Sequence, residues 1–230
     1  MLTGVIFDKD GTLFDFMATW GGWCRGVLDA ESRGDPRVRA EMAAALGYDD
    51  ATGFRPDSIV IGHTSGEVAA AILPFVPGES LPGLLSRLDA RAAAAPQVAT
   101  ADLAALFAAL RARGLKIGLA TNDTEAPARA HLRHAGVEAA FDFIAGYDSG
   151  HGGKPGPGQL LAFAAAHGLD PGACAMVGDS LHDLRAGRAA GMRTVGVLTG
   201  FAAAEELAPL ADVILPSVAA LPGWIDSLGP

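Results

Sequence analysis

Six short apolar runs, each closed by a polar or glycine-bearing stretch, leave this chain few folds to choose from. They are Gly4–Phe7, Lys116–Ala120, Phe143–Ala145, Ala173–Val177, Thr194–Leu198 and Val213–Leu215. Runs this short and this apolar, with turn signals at both ends, suit strands buried on both faces. Helical patterns separate the later runs: Ala101–Arg113, Pro127–Ala135, Gly158–His167, Ser180–Ala190 and Val218–Leu228. The first has apolar residues at 103, 106, 107 and 110, with Thr100 as the expected N-cap and Gly114 as the stop. Strand and helix alternating at this spacing make right-handed βαβ units. The expected class is α/β, a three-layer, Rossmann-like parallel sheet with helices on both faces.

One segment breaks that rhythm. Between the first and second strands, residues 16–97 carry helical stretches and almost no strand signal. The stretches are Met17–Ala30, Asp35–Leu46, Ser65–Leu73 and Leu81–Ala95. The chain is therefore expected to divide into a core built from 1–15 and 98–230 and an inserted all-helical domain over 16–97.

Composition narrows the partners. Seventeen basic against 26 acidic residues give a net charge of −9, which repels nucleic-acid backbones. No nucleic-acid partner is expected. The longest uncharged stretches are interrupted by Pro, Gly or polar residues and fall short of the ~18–20 apolar residues that a spanning helix needs, so no membrane association is expected either. The amino terminus shows no leader pattern, and two cysteines, Cys24 and Cys174, make no disulfide framework. A reduced, cytoplasmic monomer or homodimer is the economical expectation.

In open parallel sheets, ligands bind beyond the carboxyl ends of the strands. That rule gathers Asp8 and Asp10 after the first strand, Thr121 and Asn122 after the second, and Asp179 and Asp183 after the fourth. It adds Lys154 from the Gly150–Gly158 loop. Carboxylates crowded to ~4 Å repel by about 4 kcal/mol per pair at an effective dielectric of 20. A hard divalent cation offsets this, and the residue types point to Mg²⁺ held with substrate phosphate. Asp8 and Asp10 are two apart in an extended stretch, so both can face one reacting atom, one as nucleophile and the other moving a proton. Lys9 then points the other way and is expected in a structural salt bridge.

These motifs resemble, in order, the four signatures of the haloacid dehalogenase superfamily. They are Phe7-Asp8-Lys9-Asp10-Gly11-Thr12-Leu13, the strand ending Ala120-Thr121-Asn122, Lys154-Pro155-Gly156-Pro157, and Gly178-Asp179-Ser180-Leu181-His182-Asp183. The helical insertion is similar to the family's helical cap, and its length resembles the phosphoglycolate phosphatase and β-phosphoglucomutase branch. The resemblance implies an enzyme, a Mg²⁺-dependent phosphatase of small phosphorylated metabolites such as phosphoglycolate or sugar phosphates. It implies Asp8 as the nucleophile that carries the phosphoryl group and Asp10 as acid and then base. Thr121 and Asn122 would bond the phosphoryl group, and Lys154 would balance charge. Asp8, the Asp10 carbonyl and Asp179 would hold Mg²⁺, with Asp183 adjacent as a ligand or as an anchor behind it. Thr12 is a further expected substrate contact in the core. In the cap, the 47–66 loop offers Arg55, His63 and Thr64, with an arginine suited to a small carboxylate.

Related chemistries divide on single residues. A dehalogenase typically lacks the second aspartate, and a phosphonatase needs a cap lysine, whereas the only lysines here are Lys9, Lys116 and Lys154. A phosphomutase shares all the core residues and stays open, as does a binding or regulatory protein whose Asp8 merely accepts phosphate. A P-loop around Lys154 would need Gly at position 148 and Ser or Thr at 155, where the chain has Asp148 and Pro155. His131 and His134 are expected on a solvated helix face and His182 is expected exposed. Trp20, Trp23 and Trp224 are expected in packing.

Overall fold

The computed structural model describes residues 1–229. Six parallel strands form one sheet: β1 (Gly4–Phe7), β4 (Lys116–Ala120), β5 (Phe143–Ala145), β6 (Cys174–Gly178), β7 (Arg193–Val197) and β8 (Val213–Leu215). Their order is β5-β4-β1-β6-β7-β8, so β1 lies near the middle between β4 and β6. Every residue of β1 and β6 is buried, as their continuous apolar runs require. Alternate side chains feed opposite faces. Val5, Phe7, Ile117, Leu119 and Val177 pack with α6 (Leu103–Ala112), α7 (Glu125–His134) and α11 (Leu221–Ser227). Ile6, Ala120 and Met176 pack with α8 (Gly158–His167) and α9 (Leu181–Ala189) on the other. On that side a Cβ on Gly118 would sit 2.8 Å from the Phe163 ring, so the glycine lets α8 lie close on the sheet.

Residues between β1 and β4 form a second hydrophobic cluster of their own, including Trp20, Trp23, Leu28, Met42, Leu46, Ile72, Leu84 and Leu88. Its helices are α1 (Phe16–Glu31), α2 (Pro36–Leu46), α3 (Ile59–Gly62), α4 (Ser65–Ile72) and α5 (Leu81–Ala93). Their starts follow ordinary capping chemistry: Asp15, Asp35 and Ser80 accept from first-turn amides, and Thr64 forms a reciprocal box with Glu67. A two-residue hairpin, β2 (Tyr48–Asp49) with β3 (Gly53–Phe54), interrupts them. Its Asp49 side chain bonds the amides of Ala51 and Thr52 and closes the turn. The sequence expectation of helices alone missed this hairpin, α3 and the short α10 (Ala204–Leu207), all shorter than a periodicity can register.

Two strands of backbone join the helical segment to the sheet. The Asp15 amide bonds the Val98 carbonyl at 2.8 Å and the Thr100 amide bonds the Leu13 carbonyl at 3.0 Å, so the exit and return lie antiparallel, side by side. Thr100 is committed to this junction, its hydroxyl donating to the Thr12 carbonyl at 2.7 Å. Asp102, two residues on, caps α6 in place of the expected Thr100.

Candidate active site

Asp8 leaves β1 with its amide still bonded to the Val177 carbonyl at 2.9 Å, which fixes it at the strand's end. The chain then turns sharply, with the amides of Leu13 and Phe14 both reaching back to the Lys9 carbonyl. Gly11 has φ +84°, and a Cβ there would lie 2.5 Å from Asp179 Oδ2, so only glycine brings this loop against the Asp179 carboxylate. Thr12, fully buried, donates to Asp179 Oδ1 at 3.1 Å. It does not line the cleft where a substrate contact was expected of it, and its hydroxyl holds Asp179.

Lys154 is buried against two carboxylates, its Nζ 2.5 Å from Asp8 Oδ1 and 2.7 Å from Asp183 Oδ1. Asp183 Oδ2 accepts from the amide and hydroxyl of Ser180, so this carboxylate caps α9 while it holds the ammonium. Ser180 was missed in the sequence, although Ser-x-x-Asp before a helix is itself a capping signature. Asn122 uses both amide hydrogens, on the carbonyls of Gly62 and Lys154, and accepts from the Lys154 amide. It thereby fixes the Lys154 backbone and ties α3 to the core. Thr121 is buried at the end of β4 and lines the cleft.

One oxygen each from Asp8, Asp179 and Asp183 lies within 4.8 Å of the others. At that separation a pair of charges repels by roughly 3 kcal/mol at an effective dielectric of 20. Burial, chiefly, pushes the Asp8 carboxyl up to about 7, with Asp183 and Asp10 adding to the rise and Lys154 opposing it. Burial, then Asp8 and Asp183, raise Asp179 well above the usual carboxylate range. Burial works against the charge on Lys154, but Asp183 and Asp8 outweigh it and hold the ammonium firmly protonated. Three carboxyl groups beside a single ammonium leave an excess of acidic groups in a buried site. All three donors are hard oxygens, the set that suits a divalent cation such as Mg²⁺ or Ca²⁺. The residues fit such an ion.

Asp10 lines the same cleft, and its Oδ1 is buried without a hydrogen-bond partner among the described residues. Its other oxygen sits 2.6 Å from Lys9 Nζ. Lys9 does point away from Asp8 into an ion pair, but one of its partners is Asp10 itself. Its ammonium is fully buried, 3.0 Å from Asp123 Oδ2 and 2.9 Å from His131 Nδ1, and lies 5.3 Å from the centre of the Trp20 ring. His131 is not on a solvated face. It is buried, accepts from Lys9 at Nδ1 and so donates from Nε2 to the Ala92 carbonyl of α5 at 2.6 Å. Burial first, then Lys9, depress its pKa to about 4. His134, on the same helix, is exposed as expected.

The cleft above these groups is roofed by α1, α3, α4 and α5. His63 lines it and is exposed to solvent, its ring 6.3 Å from that of His182. His182 is half-buried, contrary to the exposed position expected, and bonds the Gly62 carbonyl through Nδ1 at 3.0 Å. Arg55 is not at the site. It is exposed beside the hairpin, bonded to Asp57, and lines a separate groove, apart from the cleft where its substrate contact was expected. Trp20 and Trp23 pack in the helical cluster as expected, and they also face the cleft.

Comparison with known proteins agrees with this geometry. Residues 2–191 match the family model of haloacid dehalogenase-like hydrolases. A probable phosphatase, IndB, from Dickeya dadantii is 28% identical over 215 residues, covering 88% of this chain and 84% of that protein. A phosphoglycolate phosphatase from Salmonella typhimurium is 29% identical over 217 residues, covering 90% and 85%. Among solved structures, a HAD phosphatase from Thermococcus onnurineus superposes with a TM-score of 0.70 at 23% identity, covering 97% of this chain and 98% of that one. A β-phosphoglucomutase from Clostridium difficile superposes at 0.67 and 20% identity, covering 99% and 96%. At these identities the solved structures speak to the fold.

Proposed function

Since the chain belongs to the haloacid dehalogenase-like hydrolase family and is a phosphatase, we propose that it hydrolyses small phosphorylated metabolites with Mg²⁺ through a phosphoryl group carried on Asp8. The observation that carries this reading is the convergence of Asp8, Asp179 and Asp183 within 4.8 Å, with Lys154 between two of them. Lys154 holds Asp8 Oδ1, which leaves Oδ2 to attack phosphorus. The new bond is Asp8 O–P and the ester P–O bond breaks. Asp10, through its unpartnered Oδ1, delivers a proton to the departing oxygen and later takes one from the water that attacks the phosphorus, freeing the Asp8 carboxylate.

The Thr121 hydroxyl donates to the phosphoryl oxygens. Asp8, Asp179 and the Asp10 carbonyl would hold Mg²⁺, which supplies charge neutralisation at the transferring group. Asp183 serves as the anchor behind them, because both of its oxygens are already committed to Lys154 and Ser180.

In this reading residues 16–97 are the cap and 1–15 with 98–230 the catalytic core, the paired backbones near Phe14 and Ala99 acting as the hinge. Closure is supported by bonds across the cleft, from Asn122 and His182 to Gly62 and from Ser65 to Asp123. The cap then excludes water during transfer. The test is phosphate release from a panel of phosphorylated metabolites, with and without Mg²⁺, for the wild type and Asp8→Asn. Release that needs both Mg²⁺ and Asp8 supports the reading, and full activity of Asp8→Asn overturns it. Glucose 1-phosphate belongs in the panel, because its conversion to an isomer without phosphate release would mark a mutase.

A further inference from the structure

Resting on that phosphatase reading, we propose that the substrate is the phosphate monoester of an uncharged, largely apolar alcohol, aromatic in the best case, rather than of a carboxylate-bearing or polyhydroxylated one. The phosphate end of the cleft is polar, whereas the opposite wall is mostly apolar, with His63, Ser65 and Asp89 as its polar members. Phe16, Trp20 and Trp23 from α1, Ile61 from α3, Val68 from α4 and Leu88 from α5 line it. Apolar surface of this kind gains by covering an apolar ligand and gives nothing back to hydroxyl groups that must shed water.

Charge disfavours the carboxylate, since among the described residues the only cationic or imidazole side chains on the cleft wall are Lys154, His63 and His182, against a larger number of acidic ones. Residues 16–97 contain seven arginines and no lysine, and none of the arginines lines the cleft. Arg39, Arg55 and Arg87 are bonded to acidic partners elsewhere on the helical segment. The one lysine on the cleft wall, Lys154, is already shared between Asp8 and Asp183. A carboxylate next to the transferring phosphate would instead meet Asp10, Asp89 and Asp123, all of which line the cleft. Of the neutral donors, Ser65 is committed to Asp123. The Trp20 indole Nε1 is buried and lacks an acceptor among the described residues. His63 and Asp89 are the other polar groups of this wall, and the buried Trp20 indole offers its donor to a single ether, carbonyl or hydroxyl oxygen on the alcohol.

The experiment compares kcat/KM of the Mg²⁺-loaded wild type for benzyl phosphate, 2-phosphoglycolate and glucose 6-phosphate, with acetyl phosphate as a probe of the phosphoryl-transfer machinery alone. Benzyl phosphate and 2-phosphoglycolate both release a primary alkoxide, so the contrast reads the organic part. The expected result is a more than tenfold preference for benzyl phosphate over each of the other two esters. In Asp89→Arg, which supplies a cation, the ratio of benzyl phosphate to 2-phosphoglycolate should fall at least tenfold. Hydrolysis of acetyl phosphate with a preference below tenfold, or with neither alkyl ester turned over, overturns the substrate class while leaving the phosphatase reading intact. Failure to hydrolyse acetyl phosphate overturns the phosphatase reading and this inference with it.

Discussion

Lys9→Met should cost this protein much of its stability, because the substitution keeps the volume and removes only a charge. The ammonium has no exposure to solvent and sits 2.6 Å from Asp10 Oδ2, 3.0 Å from Asp123 Oδ2 and 2.9 Å from His131 Nδ1. Burial alone would depress the Lys9 pKa, yet Asp10 and Asp123 raise it above the ordinary value, so at neutral pH it is charged in the folded protein. Removing it strands two carboxylates whose side chains are only 14% and 11% exposed. Breaking a buried pair from one side costs about 3–5 kcal/mol. For a chain of this size each kcal/mol shifts the melting temperature by roughly 2–4 °C, so the expected drop is about 6–20 °C. The assay is thermal denaturation at pH 7.5, wild type against Lys9→Met, with Asp123→Asn in both backgrounds. Asp123→Asn should restore at least about 1 kcal/mol in the Lys9→Met background, since the two side chains are in contact. A drop under about 3 °C, or no recovery in the double variant, would refute the buried-pair reasoning.

Other expectations follow from the same geometry. Asp10→Asn should lose about 10²–10⁴-fold in turnover of alkyl phosphates and much less with acetyl phosphate, whose leaving group needs no proton; equal losses would contradict the acid role. Because the carboxyl of Asp8 without a bound cation titrates at about 7, protons compete with Mg²⁺, and stabilisation of the fold by millimolar Mg²⁺ should shrink as pH falls through that value. A Mg²⁺-induced rise in melting temperature that is equal at pH 6 and pH 8 would count against it. His131, held near 4 when folded, binds its proton more readily unfolded. Between about 6.5 and that value the unfolded state therefore holds more protons, and stability falls on acidification by up to about 3 kcal/mol. A urea titration series over that range should show this loss in the wild type and a smaller one in His131→Gln.

Most of the sheet was legible because burial on both faces writes itself as continuous apolar runs; Gly4–Phe7 and Lys116–Ala120 match the structure residue for residue. Asp8, Asp10, Thr121, Lys154, Asp179 and Asp183 were legible because strand ends converge in any open parallel sheet. What escaped depended on contacts between distant segments. Lys9 was readable as an ion pair but not as the partner of Asp10, because the folded loop after β1 bends Asp10 back over it. His131 looked like a surface residue of a polar helix; contacts with Lys9 after β1, Trp20 of α1 and Ala92 of α5 bury it. Arg55 had the right chemistry and the right loop, but the β2–β3 hairpin turns it outward, and no local spacing encodes that direction.

The most direct test of the account asks where the phosphoryl group rests. Asp10→Asn should slow hydrolysis of the phosphoenzyme more than its formation from acetyl phosphate. Acid quench during turnover followed by peptide mass spectrometry should then find the mass of one phosphoryl group on the peptide that contains Asp8, and no label in Asp8→Asn. A turning-over enzyme with no phosphorylated peptide, or with the label on Asp179 or Asp183, would contradict the central claim.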